Sequence, residues 1–565
     1  MRRVIAPFTS LALLCAVALA ATAQVPSPEP PASPSPLTTG VASPEASASP
    51  QPSQSPGVPS PAETASPVPL ASPLPSAGPT QPPIIVEPPK VGVEPQKRAS
   101  ARINSALGAI SVTVADPTIA AATVDQAQRV LYVDGLKLGT TTVTLTDARG
   151  VTRDVPVQVA YAAGVPADET TLRVTGNPAS PAFLRQALAT AVTRAATLRP
   201  GASVSVAADT IAVHGDLPQD DRADYVVPLT IAGNGYFSVN GTTHVLVSNQ
   251  ALPPIEPVRL LVSDYPERLT ANGMLFSSTL SVASPQRFLY YHYNPGTEPA
   301  RRILLRAQNT STQPATIQMI DGTAGPGTNE MEVGHLSTQR FLVHEARNEG
   351  TVLTVAPGAT VNVVDHPLPP ANVVSAILQL RLVTGDPVAL TLLAQPADAP
   401  LDQSVAQTEL LSGGAPHARG VYPVPTFYFD RTYDADGPDL EIPIGQLPLP
   451  NLREGEALAG DYGVQQSMNV VIVNQTRAAK PVALYANPRG GKATGTFLID
   501  GTLVQAHGLP AFSKYKLWQE TINPGTFRRI RVVTMPEGGS SYPLRLIFAP
   551  DDGSVAPFAP SSPIY

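Results

Sequence analysis

The stretch GLKLGTTTVTLTDARG, Gly135 to Gly150, contains the pattern on which the fold assignment depends. Val143 and Leu145 alternate with threonines along its second half. Because successive side chains of a β-strand point to opposite faces, this alternation predicts a strand with an apolar inner face and a polar outer face. The Asp-Ala-Arg-Gly exit predicts a turn, after which residues 154–159 return as a further strand.

The sequence around this stretch continues the same pattern of short strands. Residues 111–114 alternate in the same way, and a further apolar run lies at 130–133. Short alternating strands joined by turns are typical of a β-sandwich. We therefore predict a small antiparallel sandwich over residues 98–162, which is near the lower size limit for a domain that folds unaided.

Three segments of this region resemble a known family. They are ADPTIAAATVD (115–125), LYVDGLKLGTTTVTLTD (131–147) and DVPVQV (154–159). Together they resemble the bacterial Ig-like domain, in the variant found at the N-terminus of pilus-formation and secretin-type proteins. The resemblance implies a β-sandwich that serves as a structural or adhesive module of an exported protein. No secretin-type C-terminal domain is evident in the remaining sequence.

The overall composition indicates a multidomain, mainly β protein. The chain has 565 residues, of which 43% are hydrophobic and 14% are charged, with 64 prolines and 41 glycines. Frequent proline and glycine favour β-domains joined by turns over helical bundles. The formal net charge of −7 and the absence of any Lys/Arg run argue against a nucleic-acid partner.

The N-terminus is typical of an export signal. Arg2 and Arg3 precede an apolar run at 11–20, and Ala-Thr-Ala at 21–23 fits a cleavage site. We predict a signal peptide over residues 1–23, the alternative being an uncleaved membrane anchor. The predicted location is therefore exported: periplasm, cell surface or extracellular. No later segment is apolar for long enough to predict a membrane span in the mature chain.

The only cysteine, Cys15, lies inside the predicted signal peptide. Leu14 precedes it, whereas a lipid-attachment site needs a small residue there. After cleavage the chain would contain no thiol, so its domains would be stabilised without disulfides.

Residues 24–97 consist largely of proline, serine and alanine. Such a segment lacks the apolar residues needed to offset chain entropy, so we predict a disordered linker with polyproline II character. Fully extended, it would reach on the order of 200 Å.

Residues 163–252 predict a small α+β domain. Ser180 is a suitable helix N-cap, Pro181 suits the first helical position, and apolar residues recur at helical spacing up to Pro200. Strands are predicted around this helix, including one at 210–213. Asn240-Gly241 predicts the tight turn of a β-hairpin.

Two further β-rich regions follow, 253–415 and 416–565, the second with an irregular C-terminal tail. The segment at 303–320 parallels the one at 469–486, each with an Asn-led turn between two strands. We predict two β-sandwiches related by duplication, the alternative being one large β-domain.

One acidic loop is a candidate cation site. Asp434, Asp436 and Asp439 surround Gly437 and can offer several carboxylates to Ca²⁺. The loop lacks the spacing and the terminal Glu of an EF-hand, so a solvated loop between strands is the alternative. No other cofactor is predicted.

The aromatic strand RFLYYHYNPG, at 287–296, is a candidate ligand surface. Tyr291 and Tyr293 share one face and would stack on sugar rings if exposed, the alternative being a strand buried on both sides. His335 is a further candidate for catalysis, although a histidine beside a turn is more often a structural hydrogen-bonding group.

The sequence contains no complete catalytic motif. His344-Glu345 lacks the second histidine of a zinc protease, and no G-x-S-x-G is present. The sequence favours a non-enzymatic exported protein of the cell envelope or surface, with a structural, adhesive or assembly role. Its expected partners are other envelope proteins or a surface polysaccharide. The alternative is a secreted carbohydrate-binding or carbohydrate-processing protein, and an enzyme of this kind would need two converging carboxylates.

Overall fold

The computed structural model describes residues 82–400, 409–553 and 556–562. The predicted signal peptide and most of the predicted linker lie outside the described residues. The described residues belong to one compact unit, Pro79–Tyr565, built mainly from β-strands with two α-helices. This confirms the predicted mainly β, multidomain fold class. No helix in the described part of the chain is long and apolar enough to cross a membrane.

The N-terminal part is the predicted Ig-like sandwich. Its strands are β1 (Ile85–Glu87), β2 (Val91–Val93), β3 (Arg98–Asn104), β4 (Ser111–Val114), β5 (Ala120–Asp125), β6 (Val130–Gly135), β7 (Gly139–Thr146) and β8 (Thr152–Val159). Sheet β1-β3-β6-β5 faces sheet β2-β8-β7-β4. Val143 and Leu145 are fully buried, as the alternation of β7 predicts. β1 and β2 lie in the segment that composition assigns to the linker, so the sandwich begins earlier than predicted.

The turn after β7 is held by one carboxylate. Asp147 is buried and accepts hydrogen bonds from the backbone N–H groups of Leu107 and Arg149. The Arg149 guanidinium also donates to it, at 2.6–2.8 Å. These donors, the Arg149 side chain first, hold the pKa of Asp147 far below its usual range. The Asp-Ala-Arg-Gly exit therefore ties the turn to the loop at Leu107.

The next region combines one helix with strands. Its elements are β9 (Gly164–Val165), β10 (Glu169–Thr175), α1 (Pro181–Ala195), β11 (Thr197–Leu198), β12 (Ala202–Ser205), β13 (Arg222–Gly233) and β14 (Val239–Asn249). The Ser180 side chain accepts from Phe183 N, which confirms the predicted N-cap. α1 buries its apolar side against β10, β13 and β14.

Two local predictions in this region were wrong. The β13–β14 hairpin turns between Gly233 and Val239, and Asn240-Gly241 lies inside β14, paired with Thr230 and Leu229. A Cβ on Gly241 would lie 2.7 Å from Pro166, so packing rather than turn geometry explains this glycine. Residues 208–210 form a 3-10 turn in place of part of the predicted strand at 210–213.

The third region contains a sandwich of nine strands and a second helix. The elements are β15 (Arg259–Ser263), β16 (Gly273–Leu280), β17 (Gln286–Asn294), β18 (Arg301–Gln308), β19 (Ala315–Gly327), α2 (Glu330–Ala346), β20 (Gly350–Val355), β21 (Thr360–Leu368), β22 (Asn372–Thr384) and β23 (Val388–Pro396). We call this the first sandwich.

The last region contains a strand that joins the large sheet and a further nine-stranded sandwich, the second sandwich. The strands are β24 (Arg419–Tyr422), β25 (Thr426–Asp434), β26 (Leu440–Ile444), β27 (Gln465–Asn474), β28 (Lys480–Pro488), β29 (Ala493–Ile499), β30 (Thr502–Leu509), β31 (Tyr515–Ile522), β32 (Thr526–Thr534) and β33 (Leu544–Pro550).

The two sandwiches share one topology. In the first, β20-β19-β22-β17-β15 faces β16-β23-β18-β21. In the second, β30-β29-β32-β27-β25 faces β26-β33-β28-β31, with the same parallel or antiparallel pairing at each step. The large sheet has ten strands because β12-β13-β14-β10 extends it beyond β20 and β24 extends it beyond β15.

The strands that correspond between the two sandwiches are not the ones that the sequence comparison paired. β17 corresponds to β27, so Asn294 corresponds to Asn474, the last residue of each strand. Asn294 Nδ2 donates to the carbonyl at the end of β21, and Asn474 Nδ2 donates to the carbonyl at the end of β31. The predicted match of 303–320 with 469–486 placed β18 beside β27 and was therefore shifted by one strand.

Candidate functional site

Buried charged side chains and close backbone contacts lie where the two sandwiches meet, a region that we call the joint. α2 packs on β19 and β22 of the first sandwich and contacts β29 of the second. Apolar side chains from both sandwiches form one buried cluster around it, including Leu260, Leu289, Phe341, Leu342, Leu498, Val533 and Met535. Sequence reasoning missed α2, because its buried face carries polar as well as apolar residues.

Backbones approach each other closely at the joint. A Cβ on Gly334 of α2 would lie 1.9 Å from the carbonyl oxygen of Gly538, in the loop between β32 and β33. A Cβ on Gly538 would in turn lie 2.8 Å from the Tyr291 ring. Neither position has room for a side chain, so glycine at each allows α2 to lie directly on the second sandwich.

A buried ion pair crosses the joint beside these glycines. His335 Nδ1 of α2 lies 2.9 Å from Glu537 Oε2, and both side chains are fully buried. Burial acts to lower the pKa of His335, but the Glu537 carboxylate outweighs it and raises that pKa above its ordinary value. Burial likewise acts to raise the pKa of Glu537, yet the imidazolium holds it below its ordinary value. Both directions describe a charged pair.

Two hydroxyl groups complete this cluster. Thr494 Oγ1 donates to Glu537 Oε2 and lies 2.7 Å from Ser540 Oγ. Nucleophilic catalysis needs the hydroxyl hydrogen-bonded to the base, whereas here the Thr494 hydroxyl donates to Glu537 Oε2, the same oxygen that His335 Nδ1 contacts. This geometry fits a structural role for His335, which lies in the middle of a helix rather than beside a turn.

A second buried cation lies deeper in the joint. Arg287 is fully buried, donates from Nη2 to Gln465 Oε1 at 2.9 Å and also donates to the Pro425 carbonyl. Its guanidinium lies 5.2 Å from the centre of the Phe341 ring. Burial lowers its pKa to about 10, so it remains charged at neutral pH. Because Arg287 lies on β17 and Gln465 on β27, this hydrogen bond links the two sandwiches.

The predicted calcium loop follows β25, and its carboxylates have different partners. Asp436 pairs with Lys480 at 2.5 Å, and Asp439 lies 3.6 Å from Lys514. Asp434 accepts from the N–H of Asp436. Within the described ranges, no group of three or more His, Cys, Asp or Glu side chains is arranged to hold a metal ion. Calcium binding by Asp434, Asp436 and Asp439 stays a prediction.

The predicted tyrosine pair lies on β17, at the edge of the joint. Tyr291 is 6% exposed and donates to the Glu330 carbonyl at 3.4 Å. Burial raises its pKa. Tyr293 is half-buried, and the Arg268 guanidinium lies 4.9 Å from its ring centre. Only Tyr293 presents surface to a ligand, so sugar binding by this pair stays a prediction.

A further charged cluster escaped the sequence reasoning. His417 lies between two carboxylates, with Nδ1 3.3 Å from Asp264 and Nε2 3.2 Å from Glu267. Burial raises the pKa of Asp264 to about 6, whereas the Asp264 hydrogen bond raises that of His417. The histidine lies 153 residues from Asp264 in the chain, and no local motif marks the group.

Comparison with known proteins bears on the N-terminal sandwich. Residues 96–160 match the family described as the pilus formation protein N-terminal region. This confirms the resemblance deduced from the sequence, although it covers a small part of the chain. The match fits an envelope or surface protein. Among curated proteins, none matches this chain.

Solved structures resemble parts of the chain weakly. Domains 4 and 5 of the S-layer protein SbsC match at 24% identity over 14% of this chain and 50% of that one, with a TM-score of 0.13. The SGBP-B protein of Bacteroides ovatus, in complex with a mixed-linkage heptasaccharide, matches at 12% identity over 53% and 70%, with a TM-score of 0.11. The M60 catalytic domain of Clostridium perfringens ZmpB with its CBM51 domains matches at 8% identity over 83% and 55%, with a TM-score of 0.15.

Proposed function

We propose that this protein is an exported component of the cell envelope or surface with a structural, adhesive or assembly role. The observation that carries the proposal is the Ig-like sandwich at 96–160, which matches the N-terminal region of pilus formation proteins. The predicted signal peptide and proline-rich linker fit this role, since they would export the folded part and space it from an anchoring layer.

The contacts between modules support the structural form of this role. The Phe237 ring occupies the space beside Gly92, where a Cβ would lie 2.5 Å from it, and Gln158 Nε2 donates to the Tyr236 carbonyl. The Ig-like sandwich is thereby packed on the α+β region. The ten-stranded sheet joins that region to the first sandwich, and the joint connects the first sandwich to the second. We infer that the modules are held as one rigid spacer.

Cross-linking in intact cells tests this function. The tagged full chain would be cross-linked in its native host, the envelope would be isolated, and the captured proteins would be identified. The proposal expects recovery with the envelope fraction and cross-links to envelope or pilus proteins. Recovery in the cytoplasm, or free of envelope proteins, would contradict it.

A pair of variants locates the contact. Leu136 and Leu138 are 50% and 55% exposed on the loop between β6 and β7 of the matched sandwich. Replacing both with Asp is expected to reduce the cross-links without unfolding the sandwich, because neither side chain lies in its core. Phe512→Asp is the matched control, since Phe512 is 70% exposed on the second sandwich. Equal loss of cross-links in both variants would show that the matched sandwich is not the contact.

A further inference from the structure

A cleft of about 610 Å³ opens between the first sandwich and a loop that precedes β27. Its floor is Leu261 of β15 and Val421 of β24, and the end of β16 with the turn that leads to β17 forms one wall. The opposite wall is the loop that carries Arg453, whose ends are fixed by the paired backbones of Leu449 and Leu458. This volume lies within the range of ligand-binding clefts, roughly 300–1,000 Å³.

The lining of this cleft is basic and rich in small polar groups. Arg259 and Arg453 line it, together with the hydroxyls of Ser278, Thr279, Ser281 and Ser284 and the amide of Gln286. No acidic side chain is among the described residues that line it. Neither arginine forms an ion pair with another described residue. The cleft thus offers two guanidinium groups without a carboxylate.

The wall that carries Arg453 is held in place by contacts within the protein. The Arg453 guanidinium lies 5.2 Å from the centre of the Phe276 ring and donates to the Ser277 carbonyl at 3.0 Å. Ser284 Oγ is buried and has no hydrogen-bond partner among the described residues. An unsatisfied buried hydroxyl is costly unless a water or a ligand group bonds to it. The Ser284 hydroxyl therefore keeps hydrogen-bonding capacity that no described residue uses.

The backbone at the cleft does not favour a peptide strand. β24 is the edge strand of the large sheet, and an extended peptide would bind such an edge through free N–H and C=O groups. Here Asn451 Oδ1 accepts from Val421 N, and Asn451 Nδ2 donates to the Arg419 carbonyl. Leu452 N donates to the Val421 carbonyl. With this edge occupied, recognition falls to the side chains.

We propose that this cleft binds an acidic saccharide, a short stretch of a polysaccharide that carries uronate carboxylates or sulfates. The two guanidinium groups match such anions in charge, and the paired N–H donors of each match a pair of carboxylate or sulfate oxygens. The hydroxyl and amide side chains match sugar hydroxyls, and the apolar floor accepts a sugar face. The inference does not rest on the envelope function, since an enzyme or a secreted binding protein can carry the same site.

Calorimetry with the full chain and trigalacturonate tests the proposal, with maltotriose as the neutral control. Trigalacturonate is expected to bind at low salt and to weaken as sodium chloride rises, because the contact is ionic. Arg259→Gln and Arg453→Gln are each expected to weaken binding about tenfold or more. The Arg259 side chain forms no hydrogen bond or ion pair with another described residue, so its variant stays interpretable.

Arg431→Gln is the matched control, because Arg431 also lies over a phenylalanine ring, 5.7 Å from the centre of Phe429, but outside the cleft. Its affinity is expected to equal that of wild type. Arg453→Lys keeps the charge but loses the planar fork, and is expected to bind at an intermediate level.

Four results would overturn the proposal. These are the absence of binding at about 5 mM trigalacturonate, unchanged binding in both glutamine variants, equal binding of maltotriose, and equal binding of an Asp-rich peptide of the same charge. The last result would identify an acidic peptide site instead. None of them bears on envelope cross-linking, so failure here is distinguishable from failure of the proposed function.

Discussion

The two sandwiches have the same strand order but different interiors. On β17 of the first sandwich, Tyr290 and His292 point into the core. The equivalent positions on β27, counted from the shared terminal asparagine, are Val470 and Ile472, which lie in the core of the second sandwich. The same topology therefore accommodates hydrogen-bonded polar side chains within the apolar core of one sandwich and aliphatic side chains at the same positions of the other, because strand alternation decides which side chains face inward.

Two buried histidines in the core of the first sandwich are neutral and hydrogen-bonded. His292 Nδ1 lies 3.0 Å from the Pro266 carbonyl, so this nitrogen carries the proton, and Nε2 accepts from Ser263 Oγ. His366 Nε2 donates to the Gly325 carbonyl and Nδ1 accepts from Tyr290 Oη. Burial lowers the pKa of each histidine to about 4. Among the described residues of the second sandwich, no histidine is buried.

The largest expected effect concerns the His335–Glu537 ion pair, which connects the two sandwiches. Glu537→Ala leaves His335 buried without its partner and is expected to lower the free energy of unfolding by about 3–5 kcal/mol. Urea unfolding followed by Trp518 fluorescence measures it. Glu441→Ala is the control, since its 2.7 Å pair with Arg545 is exposed and should contribute at most about 1 kcal/mol. Equal effects of the two variants would contradict the assigned role of the pair.

The effect of Glu537→Ala also has a pH window. The raised pKa of His335 stabilises the fold below pH 6.5, and this contribution is lost as the pH rises through the folded-state pKa. The lowered pKa of Glu537 stabilises the fold above pH 4.5, and this contribution is lost as the pH falls. The difference between wild type and variant is thus expected to be greatest between about pH 4.5 and 6.5.

The next effect tests the difference between the two cores. His292→Ile places in the first sandwich the residue that the second has at the same position. The pKa of His292 is about 4 in the folded protein and 6.5 in the unfolded chain. Protonation of the unfolded chain therefore lowers the free energy of unfolding as the pH falls through this range, by about 3 kcal/mol in total. The variant should therefore lose about 3 kcal/mol less than wild type between pH 7 and 4, whatever its stability at pH 7.

The change in unfolding free energy with pH is measured for each protein separately and then compared, so that the contribution of the buried acids, which both proteins share, cancels. Asp264 and Asp461 have pKa values raised to about 6 by burial, and they act in the opposite direction in both proteins. His507→Gln is the control, because this histidine is half exposed. A pH profile of His292→Ile parallel to that of wild type would refute the neutral, buried state of the histidine.

A smaller effect tests the close approach of backbones at the joint. Gly334→Ala would stabilise an ordinary helix by about 1 kcal/mol. Here the added Cβ would meet the Gly538 carbonyl, so the variant is expected to lose about 2 kcal/mol instead. Gly296→Ala is the matched control, since its Cβ would lie 3.5 Å from Ala371, an ordinary contact. A gain in stability from Gly334→Ala would show that the two sandwiches do not pack as described.

The smallest expected effect concerns the second sandwich alone. If the loop of Asp434, Asp436 and Asp439 binds Ca²⁺ with the affinity of an extracellular module, about 1 mM calcium should raise the free energy of unfolding by about 1 kcal/mol. Asp436→Asn with Asp439→Asn should abolish the response, and the exposed Asp209→Asn should retain it. The same unfolding midpoint in calcium and in EDTA would contradict this prediction.

Local patterns in the sequence predicted the local elements. The alternation in β7 predicted its buried face, and Ser180 with Pro181 predicted the start of α1. Both patterns act through neighbouring residues, which the sequence shows directly.

The joint was not predictable in the same way. α2 buries His335 and Gln339 beside its apolar residues, so it lacks a clear apolar stripe, and its partner Glu537 lies 202 residues from His335. The wrong prediction at Asn240-Gly241 has a similar cause, because Gly241 is required by its close packing against Pro166, which is distant in the chain. Only tertiary contacts explain these residues.

Native-state hydrogen exchange in increasing urea at pH 7 tests most directly whether the joint makes the two sandwiches one unit. The slowest amides of β17 and β22 report on the first sandwich, and those of β27 and β32 report on the second. Because the sandwiches share a buried cluster and an ion pair, we expect both sets to exchange with the same free energy of opening, and to separate in Glu537→Ala. Different opening free energies in the wild-type protein would contradict the account.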